Sequence, residues 1–210
     1  MSPQDVASLL LRLKAVRVSV NPPFTWTSGM KSPVYTDNRI ILSHPSDRDL
    51  VVDALVGLIH LLPHRPEVIA GTATAGIGWA ALVADRLKLP MVYVRPKPKE
   101  HGEGKQVEGR LPKGSRVVVV EDLLSTAGSS INTVLALRKE GECEVSDIVA
   151  IFTYGFPEAE KKAKEANVAL HALSSFAALL GTAEKEGALP PAEIKIAEGF
   201  AKDPAKWSVS

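Results

Sequence analysis

A single cysteine, Cys143, in 210 residues excludes an internal disulfide framework. It stands in the polar run Glu140-Gly141-Glu142-Cys143-Glu144, a poor setting for a nucleophile, and such sparing use of sulfur fits a reducing compartment. Surplus charge is missing too. The 25 Lys and Arg against 24 Asp and Glu leave a formal net charge of +1, which gives no global reason to bind nucleic acid or an anionic membrane. No apolar run approaches the ~20 residues of a membrane span. Leu9-Leu10-Leu11 is followed by Arg12 and Lys14, which argues against a signal peptide. A cytoplasmic location is the expectation. There are no repeats and no low-complexity tract.

Two familiar phosphate motifs are also lacking. Gly71-Thr72-Ala73-Thr74-Ala75-Gly76 has the glycine spacing of a P-loop, but Ile77 and Gly78 stand where Lys and Ser/Thr must be. No strand is followed by the G-x-G-x-x-G of a dinucleotide site. His44, His60 and His64 are not spaced for a metal and read as surface or capping residues.

What is present is an alternation. With 45% hydrophobic and 23% charged residues, the chain reads as one ordinary domain able to bury a full core. Pro3 to about Lys14 reads as a surface helix. Ser46 is placed to cap a second, with a stripe through Leu50, Ala54, Leu58 and Leu61 that ends at Pro63 and Pro66. Strands are expected at 68–70, 91–94, 117–120 and 148–152, and a short edge strand at 168–170. Helices are expected at 76–87, 131–139, 158–166, 175–180 and 191–202, and a charged loop over 96–110. Asp147 is placed in a turn. Strands alternating with helices predict a parallel sheet covered on both faces. Ligands of such sheets bind beyond the carboxyl ends of the strands, which gathers loops 71–78, 95–109 and 121–129 at one mouth.

The run Val117-Val118-Val119-Val120-Glu121-Asp122-Leu123-Leu124-Ser125-Thr126-Ala127-Gly128-Ser129 carries the most functional information. Four unalternated valines predict a strand buried on both faces. The hydroxyl-rich turn and helix start that follow make a phosphate cradle, because free amides and the helix dipole favour an anion there. Glu121 and Asp122 would repel a phosphate, and suit sugar hydroxyls or a metal beside it. The site reads as one for a phosphorylated sugar. A second signal is Arg95-Pro96-Lys97-Pro98-Lys99-Glu100-His101-Gly102-Glu103-Gly104-Lys105, a long connection packed with cations and glycine. A third is Phe24-Thr25-Trp26-Thr27-Ser28-Gly29-Met30-Lys31-Ser32-Pro33-Val34-Tyr35, too aromatic for a disordered linker.

The carboxylate pair ahead of a hydroxyl-rich turn resembles the signature of type I phosphoribosyltransferases. The Lys99-Glu100-His101-Gly102-Glu103-Gly104 loop and the Ser28-Gly29-Met30-Lys31-Ser32-Pro33-Val34-Tyr35 segment resemble the orotate phosphoribosyltransferase branch. The resemblance covers residues 24 to about 155. It implies an α/β fold with a central parallel sheet flanked by helices and a small N-terminal hood. In one domain over 1–210, residues 1–45 would form the first helix and hood, 66–175 the core and 176–210 the closing helices.

The resemblance further implies a phosphoribosyl diphosphate site of Arg95, Lys99, His101, Glu121, Asp122, Leu123, Leu124, Ser125, Thr126, Ala127, Gly128 and Ser129, with Lys99, His101 and Asp122 catalytic. Thr72, Ala73, Thr74, Ala75 and Gly76 would contact the diphosphate, with Lys97 and Lys105 as weaker ligands. Orotate would meet Ser125, Lys31, Tyr35 and Arg39. Mg²⁺ would arrive on the diphosphate with no direct protein ligand, and a homodimer would contribute the loop in trans.

Three departures from the family pattern stand out. Ala127 replaces a frequent glycine, so its backbone is expected to avoid positive φ. Ala75 replaces a lysine. Thr27 and Tyr154-Gly155-Phe156 lack the Lys and Arg that some members aim at the orotate carboxylate, leaving Arg39, Lys31 or hood amides. A purine phosphoribosyltransferase, and a non-catalytic regulator that senses the same sugar, remain as alternatives.

Overall fold

The valine run becomes the centre of a sheet because each side of it faces a separate apolar core. The computed structural model describes residues 1–26, 29–98, 104–204 and 206–207. Helix α1 (Pro3–Arg12) opens with a reciprocal Ser2–Asp5 capping box. Short strands β1 (Val16–Val18), β2 (Phe24–Thr25), β3 (Lys31–Ser32) and β4 (Val34–Thr36) follow, then a 3-10 turn at Asn38–Ser43 and helix α2 (Pro45–His60). The alternating part runs β5 (Val68–Thr72), α3 (Ala75–Leu87), β6 (Met91–Val94), β7 (Val107–Glu108), β8 (Arg116–Leu124), α4 (Gly128–Gly141), β9 (Glu144–Thr153), α5 (Pro157–Glu165) and β10 (Ala169–Ser175). Helices α6 (Phe176–Lys185) and α7 (Pro191–Lys202) close it.

The sheet order is β10-β9-β8-β5-β6-β7, parallel throughout except for β7, which is antiparallel to β6. Val118 and Val120 enter one core with Val52, Leu55, Trp79, Val83 and Phe176. Val117 and Val119 enter the other with Val134 and Leu137. Each fully buried side chain of this size contributes roughly 1.5–3 kcal/mol, so two-sided burial fixes β8 and the carboxylates it carries. The N-terminal strands form two small antiparallel pairs, β1 with β4 and β2 with β3. Among the described residues no helix is long and apolar enough to cross a membrane.

Several expectations need correction. Strand β8 does not end at Val120. Its pairing with β5 stops at Val120, but its pairing with β9 continues to Leu124 opposite Thr153, so Glu121 and Asp122 lie within the strand, on an edge that β5 has left open. Helix α2 buries Val51, Val52, Leu55 and Ile59, while Leu50 and Leu61 of the expected stripe are exposed. Both stripes have helical spacing, and the one richer in β-branched residues faces the sheet. That helix starts at Pro45 with no side-chain cap, so Ser46 is not its cap. The edge strand is longer, Ala169–Ser175, and the 96–110 loop contains β7. Cys143 is buried in the second core, and Asp147 is buried in β9, where its carboxylate meets His171 Nε2 at 2.8 Å and accepts from Ser146 Oγ.

Candidate active site

Two glycines seat the start of helix α3 against the sheet. A Cβ on Gly71 would lie 2.9 Å from Ala80 Cβ, and one on Gly76 would lie 2.6 Å from Val120 O. Only glycine allows helix α3 to start this close to the strand. Between them Ala73 donates its amide to Val94 O, and the Ala73–Thr74 peptide is cis. The first turn of α3 has no side-chain cap, so its amides remain available to an anion at the mouth. Buried Thr72 Oγ1 has no partner among the described residues.

Glu121 is 4% exposed at this mouth. One carboxyl oxygen accepts from the Asp122 amide at 3.0 Å and the other from Ser130 Oγ at 3.2 Å. Desolvation, then the neighbouring Asp122 charge, pushes its pKa well above the carboxylate range. Asp122 is half-buried. Burial raises its pKa as well, opposed by its bond with Glu121 and by the charge of Arg39. The pair is therefore divided in role: Glu121 is satisfied inside the protein, and Asp122 is the more exposed of the two.

After Leu124 the chain turns into α4. Thr153 Oγ1 and the Tyr154 amide both donate to Leu124 O, which fixes the exit. Ala127 caps α4 with φ +56°, against the expectation that alanine would avoid this region. Its methyl is buried in the second core, and that burial offsets part of a backbone preference of about 1–2 kcal/mol. Helix α4 also starts without a side-chain cap. Two uncapped helix ends and a half-buried carboxylate thus lie at the same end of the sheet, an arrangement that suits an anionic ligand.

Residues 39–177 match the family model described as phosphoribosyl transferase domain. An orotate phosphoribosyltransferase of Bacillus cereus is 52% identical over 204 residues, 96% of each chain. One of Streptococcus pneumoniae is 45% identical over 204 residues, 97% of each chain. The crystal structure of orotate phosphoribosyltransferase from Aeropyrum pernix is similar with a TM-score of 0.75 at 34% identity, covering 88% of this chain and 99% of that one. The chain belongs to the orotate phosphoribosyltransferase family.

The family's loop is anchored at a narrow neck. The Arg95 amide donates to Gln106 O, Gln106 Nε2 returns a bond to Arg95 O, and both oxygens of Glu140 accept from the Gln106 and Val107 amides. Arg95 points back toward Glu108 at 3.8 Å. Lys99 and His101 lie outside the described residues, as does Thr27.

The orotate phosphoribosyltransferase hood is tied to the core by aromatic stacking. Trp26 stacks on Tyr154 at 5.4 Å and donates to Val34 O, and Tyr154 Oη donates to Thr36 Oγ1. Tyr35 lies beneath the Arg17 guanidinium at 5.2 Å. Lys31 Nζ donates to Thr25 Oγ1 at 2.7 Å. Arg39 is held in a two-bond pair with Asp37, which raises its pKa. Sequence reasoning missed Asn38, whose Nδ2 donates to Asp122 O, and Ser130, which holds Glu121. The first contact leaves no local pattern, because its partners lie 84 residues apart, and the second falls one position beyond the 117–129 run.

Proposed function

We propose that the protein transfers the ribose 5-phosphate group from 5-phosphoribosyl 1-diphosphate to orotate, giving orotidine 5′-monophosphate and diphosphate in UMP synthesis. The observation that carries this is Asp122 on the open edge of β8 between the uncapped starts of α3 and α4. The C1′–N1 bond to orotate forms as the C1′–O bond to diphosphate breaks, the N1 proton of orotate passes to the departing diphosphate or to solvent, and positive charge develops on the ribose. Asp122 holds ribose hydroxyls and offsets that charge. Glu121, paired internally, stiffens the strand end that presents it.

The amides and hydroxyls of Ser125 to Ser129 hold the 5′-phosphate, and Thr72 to Gly76 face the diphosphate. Arg95, Lys99 and His101 neutralise the leaving group, and the loop excludes water. Among Lys31, Tyr35 and Arg39, we assign the orotate carboxylate to Lys31. Arg39 is already neutralised by Asp37, whereas Lys31 meets the neutral Thr25 hydroxyl. Ser125 also faces the base.

Among the described residues no three side chains stand together as a metal site. One half-buried carboxylate beside two anion-binding helix ends fits a magnesium ion that arrives on the diphosphate. Bound there, the ion offsets diphosphate charge. We further propose a cytoplasmic homodimer whose loops act in trans. Initial rates with orotate, adenine, hypoxanthine and uracil in parallel test the reading. Turnover of orotate is expected, and a preference for a purine, or no turnover at all, defeats it.

A further inference from the structure

We infer that Lys162, from the following helix α5, binds the 5′-phosphate by exchanging partners with Glu158. The inference rests on the reading of Ser125 to Ser129 as the 5′-phosphate cradle. That run contains hydroxyls and amides but no cation, although its ligand is a dianion. The structure brings one to it. A Cβ on Gly128, the first residue of α4, would lie 3.7 Å from Lys162 Nζ and 3.9 Å from Thr126 Oγ1. The ammonium therefore lies close to the first residue of α4, as does a hydroxyl of the cradle.

Helix geometry explains the reach. Ala159 and Ala163 bury one face of α5, and helical side chains lean toward their own N-terminus. Lys162 accordingly leans back one turn. At the far end Arg138 of α4 donates to Ala166 and Asn167 oxygens just beyond α5, so the two helices run side by side with their starts together. Nothing in the sequence of α5 marks Lys162 apart from Lys161 and Lys164.

The present partner of Lys162 is Glu158, at 2.6 Å. The lysine side chain is 34% exposed and the glutamate 56%, and an exposed pair four residues apart on a helix is weak. A phosphate dianion held by the α4 amides carries more charge than one carboxylate, and it meets the ammonium without moving the helix. Glu158 keeps the lysine ordered near the cradle until the ligand arrives.

The test measures ribose 5-phosphate and inorganic diphosphate binding by calorimetry for the intact protein and three variants. Lys162→Met is expected to weaken ribose 5-phosphate at least tenfold and diphosphate less than twofold, with Lys162→Arg restoring most of the loss. Lys161→Met, whose lysine pairs with Glu165 instead, should change neither. In steady state Lys162→Met should raise KM for the phosphoribosyl substrate while kcat stays within about twofold. Unchanged ribose 5-phosphate binding in Lys162→Met, or equal weakening of both ligands, overturns the assignment. If the intact protein binds ribose 5-phosphate and transfers to orotate, that failure falls on Lys162 alone. If the intact protein does neither, the cradle reading itself is lost.

Discussion

Asn38 Nδ2 donates to the main-chain oxygen of Asp122 at 2.7 Å, joining residues 84 apart in sequence. Asn38 is fully buried, and its own Oδ1 has no partner among the described residues. The N-terminal segment thus clamps the open edge of β8 at the residue assigned to the ribose. Asn38→Ala leaves a buried carbonyl unpaired and should cost about 1–3 kcal/mol. It should also raise KM for the phosphoribosyl substrate more than KM for orotate. Thermal unfolding and steady-state kinetics check both, and an unaltered KM in folded variant would reduce Asn38 to a packing residue.

Asp122→Asn and Asp147→Asn should separate function from stability. The first keeps size at the mouth and loses charge, so KM for the phosphoribosyl substrate rises while the melting temperature changes little. The second disturbs a buried carboxylate bonded to His171 and Ser146. It should lower the melting temperature and leave activity per folded molecule intact. The reverse pattern would remove Asp122 from the site.

Glu121 has its pKa raised in the folded state by burial and by Asp122. A raised value means the folded protein holds a proton that the unfolded chain releases. The associated stability is full below the ordinary glutamate value of about 4.3 and is lost as pH rises toward the folded value. Glu121→Gln should therefore flatten the fall in melting temperature between pH 5 and pH 8, with its relative gain largest at the alkaline end. Parallel pH profiles for the two proteins would show that the carboxyl is not held protonated.

Ala127 sets opposing costs against each other. Ala127→Gly relieves a left-handed backbone worth about 1–2 kcal/mol. It also loses a buried methyl worth about 0.8 kcal/mol and adds about 0.5–1 kcal/mol of chain entropy. The net change should lie within about 1 kcal/mol, with activity kept. Ala127→Val places a β-branched residue at φ +56° and should lose both stability and phosphoribosyl binding. Denaturant unfolding of both variants decides the matter, and a tolerated valine would mean that the turn is not held in this conformation.

If the loops act in trans, mixing inactive Lys99→Ala subunits with Asp122→Asn subunits, at a phosphoribosyl substrate level too low for the latter to turn over, should restore activity. One site of each mixed dimer then carries neither defect. Mixed dimers that stay inactive would place the loop over its own subunit.

The sheet was legible because period and burial agree: valines without alternation, helices of apolar period between them, and glycines where a loop meets a strand. What escaped depends on partners far along the chain. Ala127 reads as a residue that should avoid a left-handed turn until its methyl is seen in a core built from β5, β8 and α4. Val51 and Leu50 both sit on plausible helical stripes of α2, and only the packed sheet selects between them. Glu121 and Asp122 look equivalent as neighbours, yet alternation along β8 points one at Ser130 and leaves the other more exposed. Lys162 is one of three lysines on a polar helix until its neighbour α4 is in place.

The neck beneath the charged loop makes helix α4 a leash-holder. Glu140, near its far end, fastens the amides of Gln106 and Val107, while Gly128 opens the phosphate cradle about 18 Å away at 1.5 Å per residue. Between Arg95 and Gln106 lies the leash itself, on which Lys99 can stand no more than about 13 Å from its tether at 3.3 Å per residue. Glu140→Ala would leave that fastening to the Arg95–Gln106 bonds and the β6–β7 pairing, with two amides unpaired at about 1–3 kcal/mol each where they are buried. The measure by which the loop finds its substrate would then rest on those bonds.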